Sequence, residues 1–482
     1  LDHHHHAGVD RLGDAEDSLK AKGERLRKRM RQLELAGMTL VVGLGKSGLS
    51  AARALHALGA TFAVTDSRAD PPGLAALREE FPDAPCYLGG FDPAVFAGAT
   101  RLLVSPGVAI ATPVIAEATA RGAPVWGDIE LLARLTEVPV AAITGSNGKS
   151  TVTTLLGLMA ERAGVRAAVG GNLGTPALEL WLHDEHNAGA APALYVLELS
   201  SFQLETTYSL NARVATVLNL SPDHMDRYAK LDDYIAAKRR VFRGDGTMVV
   251  NADDPVVMAM VEPGRQVVRF TLAEPGAGEF GLRQEAGETW LAYGPERWIA
   301  ASELKISGDH NLANALAALA MGHVLGLSRE GMRAALREFT GLAHRTVLVR
   351  ERGGVRWFDD SKGTNVGATA AAVRGVPGQV VLIAGGDGKN QDFSPLRAAL
   401  ADKARAVVLI GRDAPLIAAA LGDSVPLQVA ADMEAAVAVA AQLAQPGDSA
   451  LLSPACASFD MFSGYEERGA VFAAAVRRLP EC

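Results

Sequence analysis

The chain reads as a three-domain α/β protein, and three observations predict it. Its 482 residues exceed what one hydrophobic core serves, at roughly 150 residues per domain. Short apolar runs alternate with helix-length segments throughout, the pattern of parallel sheets covered on both faces. Glycine-rich turns follow two of those runs directly, at 43–48 and 145–148, as in strand–turn–helix units that hold phosphate at a helix N-terminus.

Composition narrows the function classes. Hydrophobic residues make up 49% of the chain and charged residues 21%, too apolar for disorder and too charged for a membrane bundle. Collagen-like, coiled-coil and disulfide-scaffold readings fall to the same arithmetic. Lys plus Arg number 47 against 55 for Asp plus Glu, a net charge of −8, so no whole-chain basic field exists and nucleic acid is not an expected partner. A local phosphate pocket is compatible with that charge. Cys86, Cys456 and Cys482 form neither a disulfide framework nor a metal knuckle, which fits a reducing cytoplasm. The longest apolar stretches, 380–384 and 435–444, fall short of the roughly 20 residues that span a bilayer, so no membrane span is expected. Residues 1–36, opening with His3–His6, read as a tag remnant or a poorly ordered extension with no secretory signal. A metal-binding histidine tract is the sharper alternative.

From Met38 the run MTLVV leads into Gly43-Leu44-Gly45-Lys46-Ser47-Gly48 and an Ala/Leu-rich helix ending near Gly59. A second run, 61–65, closes on Asp66, which places an acid 18 residues past the third glycine. This βαβ unit fits NAD or another nucleotide, and plain helix–strand packing would also produce it. Further strands are expected at 101–104, 139–143, 193–199, 212–220, 379–384, 406–410 and 449–452. Joints near 126–131 and 340–343 divide the chain into 37–128, 129–341 and 342–482.

The most informative stretch is Thr144-Gly145-Ser146-Asn147-Gly148-Lys149-Ser150-Thr151. Its turn offers backbone N–H groups to phosphate oxygens, Lys149 adds a mobile cation, and the Ser150 hydroxyl suits Mg²⁺. Val152, Leu155, Leu156 and Met159 give the following helix one buried face, and Gly164 is placed to end it. A phosphate loop needs a metal acid, and Glu198 stands at the carboxyl end of one apolar run, with Asp223-His224-Met225-Asp226 after the next; open parallel sheets bind ligands at that edge. A histidine in such a turn can equally stabilise the turn, or ligate a cation as a neutral imidazole. Asn311 and Asn314, three apart, share a helical face and suit a nucleobase edge or a helix cap. Polar clusters also follow the later runs, at 359–365, 385–389 and 453–459, with His344-Arg345 preceding them.

Taken together, TGSNGKST, SGDHNLANALAA and His344-Arg345 resemble the Mur ligase family from about Leu40 to Gly469. ELSSFQLE at 198–205, DDSKGTN at 359–365 and SPACASFDMF at 453–462 resemble its D-glutamate-adding branch. The resemblance implies a Rossmann-like N-terminal domain, a central P-loop ATPase-type domain and a Rossmann-like C-terminal domain. The implied activity is ATP-dependent joining of D-glutamate to UDP-N-acetylmuramoyl-L-alanine in peptidoglycan precursor synthesis, by a cytoplasmic monomer. By that analogy Lys46, Ser47, Asp66, Ser67, Arg68 and Gly107 surround uridine diphosphate, while Asn172 and Ser200 meet the rest of that substrate. Gly145, Asn147, Gly148, Lys149, Ser150 and Thr151 hold the ATP phosphates, and Asn311, Asn314, Arg345 and Asp360 the remainder of the nucleotide. Ser150, Glu198, His224 and a carbamylated Lys238 take two Mg²⁺ ions, with Lys149, His224 and Lys238 the catalytic set. Lys362, Thr364, Asp387, Lys389, Ser458 and Phe459 line the D-glutamate pocket. A dehydrogenase would use 43–48 and Asp66 but leave the second phosphate loop without a task. A folylpolyglutamate synthase would not need the UDP-binding first domain, and a non-catalytic nucleotide-binding module would bind ATP without stimulated phosphate release.

Overall fold

The computed structural model of the chain describes residues 35–187 and 190–482, together with 13–14, 16–18, 20–21 and 24. The reading of the leader, His3–His6 included, lies mainly outside the described residues. The architecture is α/β throughout. Among the described residues, those up to 142, those of 166–213 and those of 240–246 form one compact unit, and residues 143–165, 214–239 and 247–482 a second.

In the first unit, strands β1 (Met38–Val42), β2 (Thr61–Asp66), β3 (Cys86–Leu88), β4 (Arg101–Val104) and β5 (Val125–Trp126) form a parallel sheet ordered β3-β2-β1-β4-β5. The order reverses between β1 and β4, where open sheets of this kind leave a crevice for ligands. Leu40, Val42, Leu102 and Val104 reach one face and pack with Phe96, Ile115 and Val125. The helix Lys46–Ala57 buries Ala51, Ala52, Ala54 and Leu55. Its small side chains let it lie close, and Gly48 is obligatory there, since a Cβ would stand 1.9 Å from the Gly43 carbonyl oxygen. Strand β6 (Val140–Thr144) leads to the second glycine turn. In the same unit β7 (Ala167–Gly171) and β8 (Leu194–Glu198) pair in parallel.

The second unit contains two sheets. One has the order β14-β13-β12-β11-β10-β9, from β9 (Val214–Val217), β10 (Thr247–Asn251), β11 (Val267–Phe270), β12 (Phe280–Glu285), β13 (Glu288–Tyr293) and β14 (Glu296–Ala300). The other is ordered β15-β16-β20-β17-β18-β19, from β15 (Val347–Arg352), β16 (Val355–Asp359), β17 (Val380–Gly385), β18 (Ala404–Ile410), β19 (Leu427–Val429) and β20 (Ser449–Leu452). The helix Lys149–Arg162 packs on the helices Asp309–Val324 and Arg329–Glu338. Its Val152, Leu155, Leu156 and Met159 are all fully buried, and Gly164 follows its end at φ 77. Close approach of its tail to the third helix needs Gly331, whose added Cβ would stand 2.7 Å from the Ala163 backbone.

The strand runs expected from hydropathy are present to within one or two residues at most ends, but the sheets are not wholly parallel. Strands β12–β14 and the pair β15–β16 are antiparallel. Two of the three hairpins show why: Ala286-Gly287 has φ 53 and 76, and Gly353-Gly354 has φ 57 and 77. Two consecutive residues at positive φ are what a two-residue turn between twisted antiparallel strands requires. Their flanking strands mix charged and apolar residues without an unbroken apolar run, so hydropathy alone does not mark them as the buried runs do.

Candidate active site

The second glycine turn is built to face outward from its strand. Gly145 has φ 151 and Gly148 has φ 87, backbone states that glycine reaches without a steric penalty. Space reinforces the choice, because a Cβ on Gly148 would stand 2.4 Å from Oδ1 of Asn314. The turn is stapled to the segment after β9: Asn147 N donates to Asn219 Oδ1 and Asn219 Nδ2 to Asn147 O, both at 2.9 Å. Ser221 N donates to Ser146 Oγ at 2.9 Å, and that hydroxyl donates to Ser221 O at 2.8 Å. The turn is therefore fixed before any ligand arrives, with Lys149 half-buried and Ser150 and Thr151 buried at the start of its helix.

Charge concentrates beside it. His224 sits at φ 53, and its pKa is lowered to about 4. Burial is the main cause; Asp223 opposes it, and the ammonium groups of Lys389, Lys149 and Lys238 add to it. The imidazole is thus neutral at pH 7. Three lysines from three separate segments bear on this one ring. Lys238 is buried, its Nζ donating to Thr144 Oγ1 at 3.0 Å and to Gly145 O at 2.9 Å. Lys389 is buried too, and its ammonium lies 2.5 Å from Asp223 Oδ1. Asp223 Oδ2 accepts from Asn365 Nδ2 at 3.1 Å, and Asn365 Nδ2 also reaches Ser146 O at 3.3 Å. Burial pushes the Asp223 carboxyl up, but Lys389 and the other donors outweigh it and hold it well below the usual carboxylate range.

Two adjoining cavities lie next to the turn. The first, about 70 Å³, is lined by Asn147, Gly148, Asn219, Asn314, Arg345 and Asp360 among others. The second, about 380 Å³, is lined by Thr151, Lys305, Asn311 and Phe358 and shares His310, Arg345 and Thr346 with the first. Asn311 and Asn314, expected on one face, thus reach different cavities of a shared space. Thr151 Oγ1 and Arg345 Nε are buried without a hydrogen-bond partner among the described residues, which leaves donors for a ligand to satisfy. His344 at φ 60 and Thr346 at φ 48 hold Arg345 between two left-handed residues. Asp360 Oδ1 accepts from Thr346 N at 3.0 Å and Oγ1 at 3.1 Å, and Oδ2 from Ser453 Oγ at 2.7 Å. Burial raises its pKa to about 6, against the opposing pull of Arg345.

The remaining residues expected at an amino-acid pocket are arranged as follows. Lys362 Nζ lies 3.4 Å from the Tyr465 hydroxyl and 5.0 Å from the centre of its ring. Thr364 is half-buried, Ser458 buried, and Phe459 75% exposed. Asp387 Oδ1 accepts from Lys389 N at 3.0 Å and from Arg412 Nη2 at 2.6 Å. Arg468, absent from the sequence reading, is buried and anchors this region. Its Nε donates to Ser361 Oγ at 3.0 Å, Nη2 to Ser361 O at 2.6 Å and Nη1 to Cys456 O at 2.9 Å. Asn219 and Asn365 also brace the second glycine turn, and the one sequence signal for them is that each lies within a few residues of an apolar run or inside a motif.

The first unit keeps its own expected residues at the sheet edge. Asp66 Oδ2 accepts from Leu44 N at 2.8 Å, and Arg68 grips both oxygens at 2.8 and 2.9 Å. Burial raises that carboxyl, and Arg68 and Leu44 outweigh it, leaving it below its ordinary value. Lys46, Ser67, Arg68, Gly107 and Asn172 are exposed and Ser47 half-buried. A Cβ on Gly45 or Gly107 would meet nothing within 4 Å, so open space lies against that backbone. Glu198 is buried at the end of β8, and its carbonyl accepts from Asn172 N at 2.8 Å. Ser200 caps the next helix through a reciprocal pair with Gln203. Among the described residues, no three His, Cys, Asp or Glu side chains converge as a metal site.

Comparison with known proteins agrees with this geometry. Residues 37–127 match the Mur ligase MurD-like N-terminal domain, 143–322 the Mur ligase middle domain and 344–456 the Mur ligase glutamate ligase domain. The UDP-N-acetylmuramoylalanine--D-glutamate ligase of Nitrosococcus oceani is 56% identical over 453 residues, covering 94% of this chain and 99% of its own. That of Pseudomonas aeruginosa is 52% identical over 444 residues, with 91% and 98% covered. In fold alone, the UDP-N-acetylmuramate-alanine ligase MurC of Thermotoga maritima aligns at TM-score 0.57 and 17% identity, over 92% of this chain and 99% of that one. MurF ligase of Thermotoga maritima in complex with ADP aligns at TM-score 0.55 and 17% identity, over 80% and 91%. With three successive domain matches and 52–56% identity to these relatives over more than nine-tenths of its length, the chain belongs to the Mur ligase family of ATP-dependent, carbon–nitrogen bond-forming ligases.

Proposed function

We propose that the protein joins D-glutamate to UDP-N-acetylmuramoyl-L-alanine, consuming ATP through an acyl phosphate and releasing ADP and phosphate, as a monomer in the cytoplasm. One observation carries the reading for this chain: Lys149, Lys238 and Lys389 bear on the half-buried His224 beside a pre-fixed glycine turn. A carboxylate is a poor electrophile, so its oxygen must first attack the γ-phosphorus, with ADP leaving. The amine of D-glutamate then attacks the acyl carbon, phosphate leaves, and the amine loses a proton.

The chain's own groups serve mainly to position and to neutralise charge, as phosphoryl transfer requires. The N–H groups of the turn and Lys149 would hold the β- and γ-phosphates of ATP. Asn311, Asn314, Arg345 and Asp360 would take the base and ribose in the paired cavities, where Arg345 Nε has a donor to give. The donor types of Ser150, Glu198, neutral His224 and Lys238 fit Mg²⁺, which would supply charge neutralisation on the phosphates. Carbamylation of Lys238 would turn its end into an anionic ligand while leaving one N–H for Thr144 or Gly145. Lys46, Ser47, Asp66, Ser67, Arg68, Gly107, Asn172 and Ser200 would serve the nucleotide-sugar substrate. Lys362, Thr364, Asp387, Lys389, Ser458 and Phe459 would receive D-glutamate, with domain limits near 128 and 341.

The test measures phosphate release from ATP with magnesium and UDP-N-acetylmuramoyl-L-alanine, comparing D-glutamate with L-glutamate, L-alanine and diaminopimelate. Release that depends on D-glutamate alone supports the proposal. Equal response to all four, or none, removes it.

A further inference from the structure

The cation expected to receive a substrate carboxylate is already held by a carboxylate of the chain. Lys389 and Asp223 side chains are 8% and 7% exposed, and they meet at 2.5 Å. The lysine is aimed there with effort. Lys389 and Asn390 both adopt positive φ, 51 and 55, a conformation that costs a non-glycine residue energy. Gln391 pins the same turn, its Nε2 donating to Gly388 O and Ala455 O at 2.8 Å and its Oε1 accepting from Val366 N at 2.9 Å.

Two carboxylates cannot comfortably share this ammonium. A second anion brought into so buried a pair would leave an uncompensated negative charge, which is strongly unfavourable in such surroundings. Exchange is the cheaper course, and Asp223 is equipped for it. Without Lys389 it still accepts from Asn365 Nδ2 at 3.1 Å and from His224 N at 2.8 Å, so it would not be stranded.

We propose that Asp223 is a built-in stand-in for a carboxylate of the amino-acid substrate, occupying Lys389 until that carboxylate replaces it. The inference rests on the proposed D-glutamate activity. Asp223 acts through Lys389 and is an affinity-setting residue for the amino acid. It also links the two halves of the site, since its neighbours in contact are Asn365, which reaches the phosphate turn at Ser146 O, and His224.

The experiment compares steady-state kinetics of the full chain and Asp223→Asn in the phosphate-release assay. Removing the competing charge is expected to lower the KM for D-glutamate about fivefold or more and to leave the KM for ATP within twofold, whatever happens to kcat. In a Lys389→Gln background the same substitution should no longer lower the KM for D-glutamate. If the buried amide prevents folding, Asp223→Ser, smaller and equally uncharged, carries the same expectation. An unchanged or raised KM for D-glutamate in the neutral variants, or a drop that persists without Lys389, would overturn the inference. A wild-type chain that never responds to D-glutamate would instead remove the functional reading beneath it.

Discussion

Asn147 and Asn219 hold each other twice, backbone N–H to side-chain oxygen and side-chain N–H to backbone oxygen, each at 2.9 Å. This exchange locks the second glycine turn to the strand end opposite, so its shape is set by the chain itself. Asn219→Ala leaves both Asn147 groups unmatched, at a cost of about 1–3 kcal/mol. The expected result is a lower melting temperature and roughly a tenfold higher KM for ATP, since about 1.4 kcal/mol of lost preorganisation corresponds to that factor. A variant with wild-type KM for ATP would show that the turn keeps its shape by other means.

Lys149→Ala removes the mobile cation at the head of the helix Lys149–Arg162. Turnover is expected to fall on the order of 10²–10³, comparable to losing one preorganised donor to developing charge. Melting temperature should hardly change, because the side chain is only half-buried. Near-full turnover in this variant would count against the assignment of the turn to ATP.

The glycines of the first fingerprint divide by what surrounds them. An added Cβ at Gly48 would strike the Gly43 carbonyl at 1.9 Å, whereas at Gly45 it meets nothing within 4 Å. Gly48→Ala is expected to destabilise by about 2 kcal/mol or more through backbone displacement. Gly45→Val is expected to leave the fold stable and to raise the KM for the nucleotide-sugar at least several-fold. Melting curves and substrate titration separate the two; equal behaviour of both variants would refute the division.

Asp360 gives a pH-dependent prediction whose sign is fixed. Its pKa is raised by burial from 3.8 to about 6, so the folded chain binds that proton more tightly than the unfolded chain does. The stability it contributes is complete below about pH 4 and is lost as pH climbs through 6. In Asp360→Asn this loss is absent. Thermal unfolding without nucleotide, followed at several values from pH 4 to 7, should show the variant gaining on wild type as pH rises. The full gain is on the order of 2–3 kcal/mol. A constant gap between the two proteins across that range would show that Asp360 ionises normally.

The buried parallel strands were legible because each is a continuous apolar run, as in Val140–Thr144 and Val380–Gly385. The antiparallel β12–β14 were not, because charged residues interrupt each apolar run and the turn at Ala286-Gly287 carries only one glycine. The glycine turn ahead of Lys149 and Ser150 could be read from spacing, since a strand–turn–helix junction is local structure. The pairing of Lys389 with Asp223 could not, because 166 residues separate them and only the fold brings them together. Asp66 shows the converse: its position was legible, yet its carboxylate is spent on Leu44 and Arg68 of its own neighbourhood. A motif reports which backbone shape is present more reliably than which atoms are left over for a ligand.

The guanidinium of Arg468 fastens Ser361 and Cys456 through three hydrogen bonds, reaching across 107 residues to Ser361. During synthesis, therefore, the stretch that carries Asp360 and Lys362 can emerge and collapse long before it acquires its final brace. Catalytic competence would ripen late, only after the ribosome has extruded the helix Tyr465–Arg478. Nascent chains that stall before that helix should already be folded in their earlier parts and yet be inert.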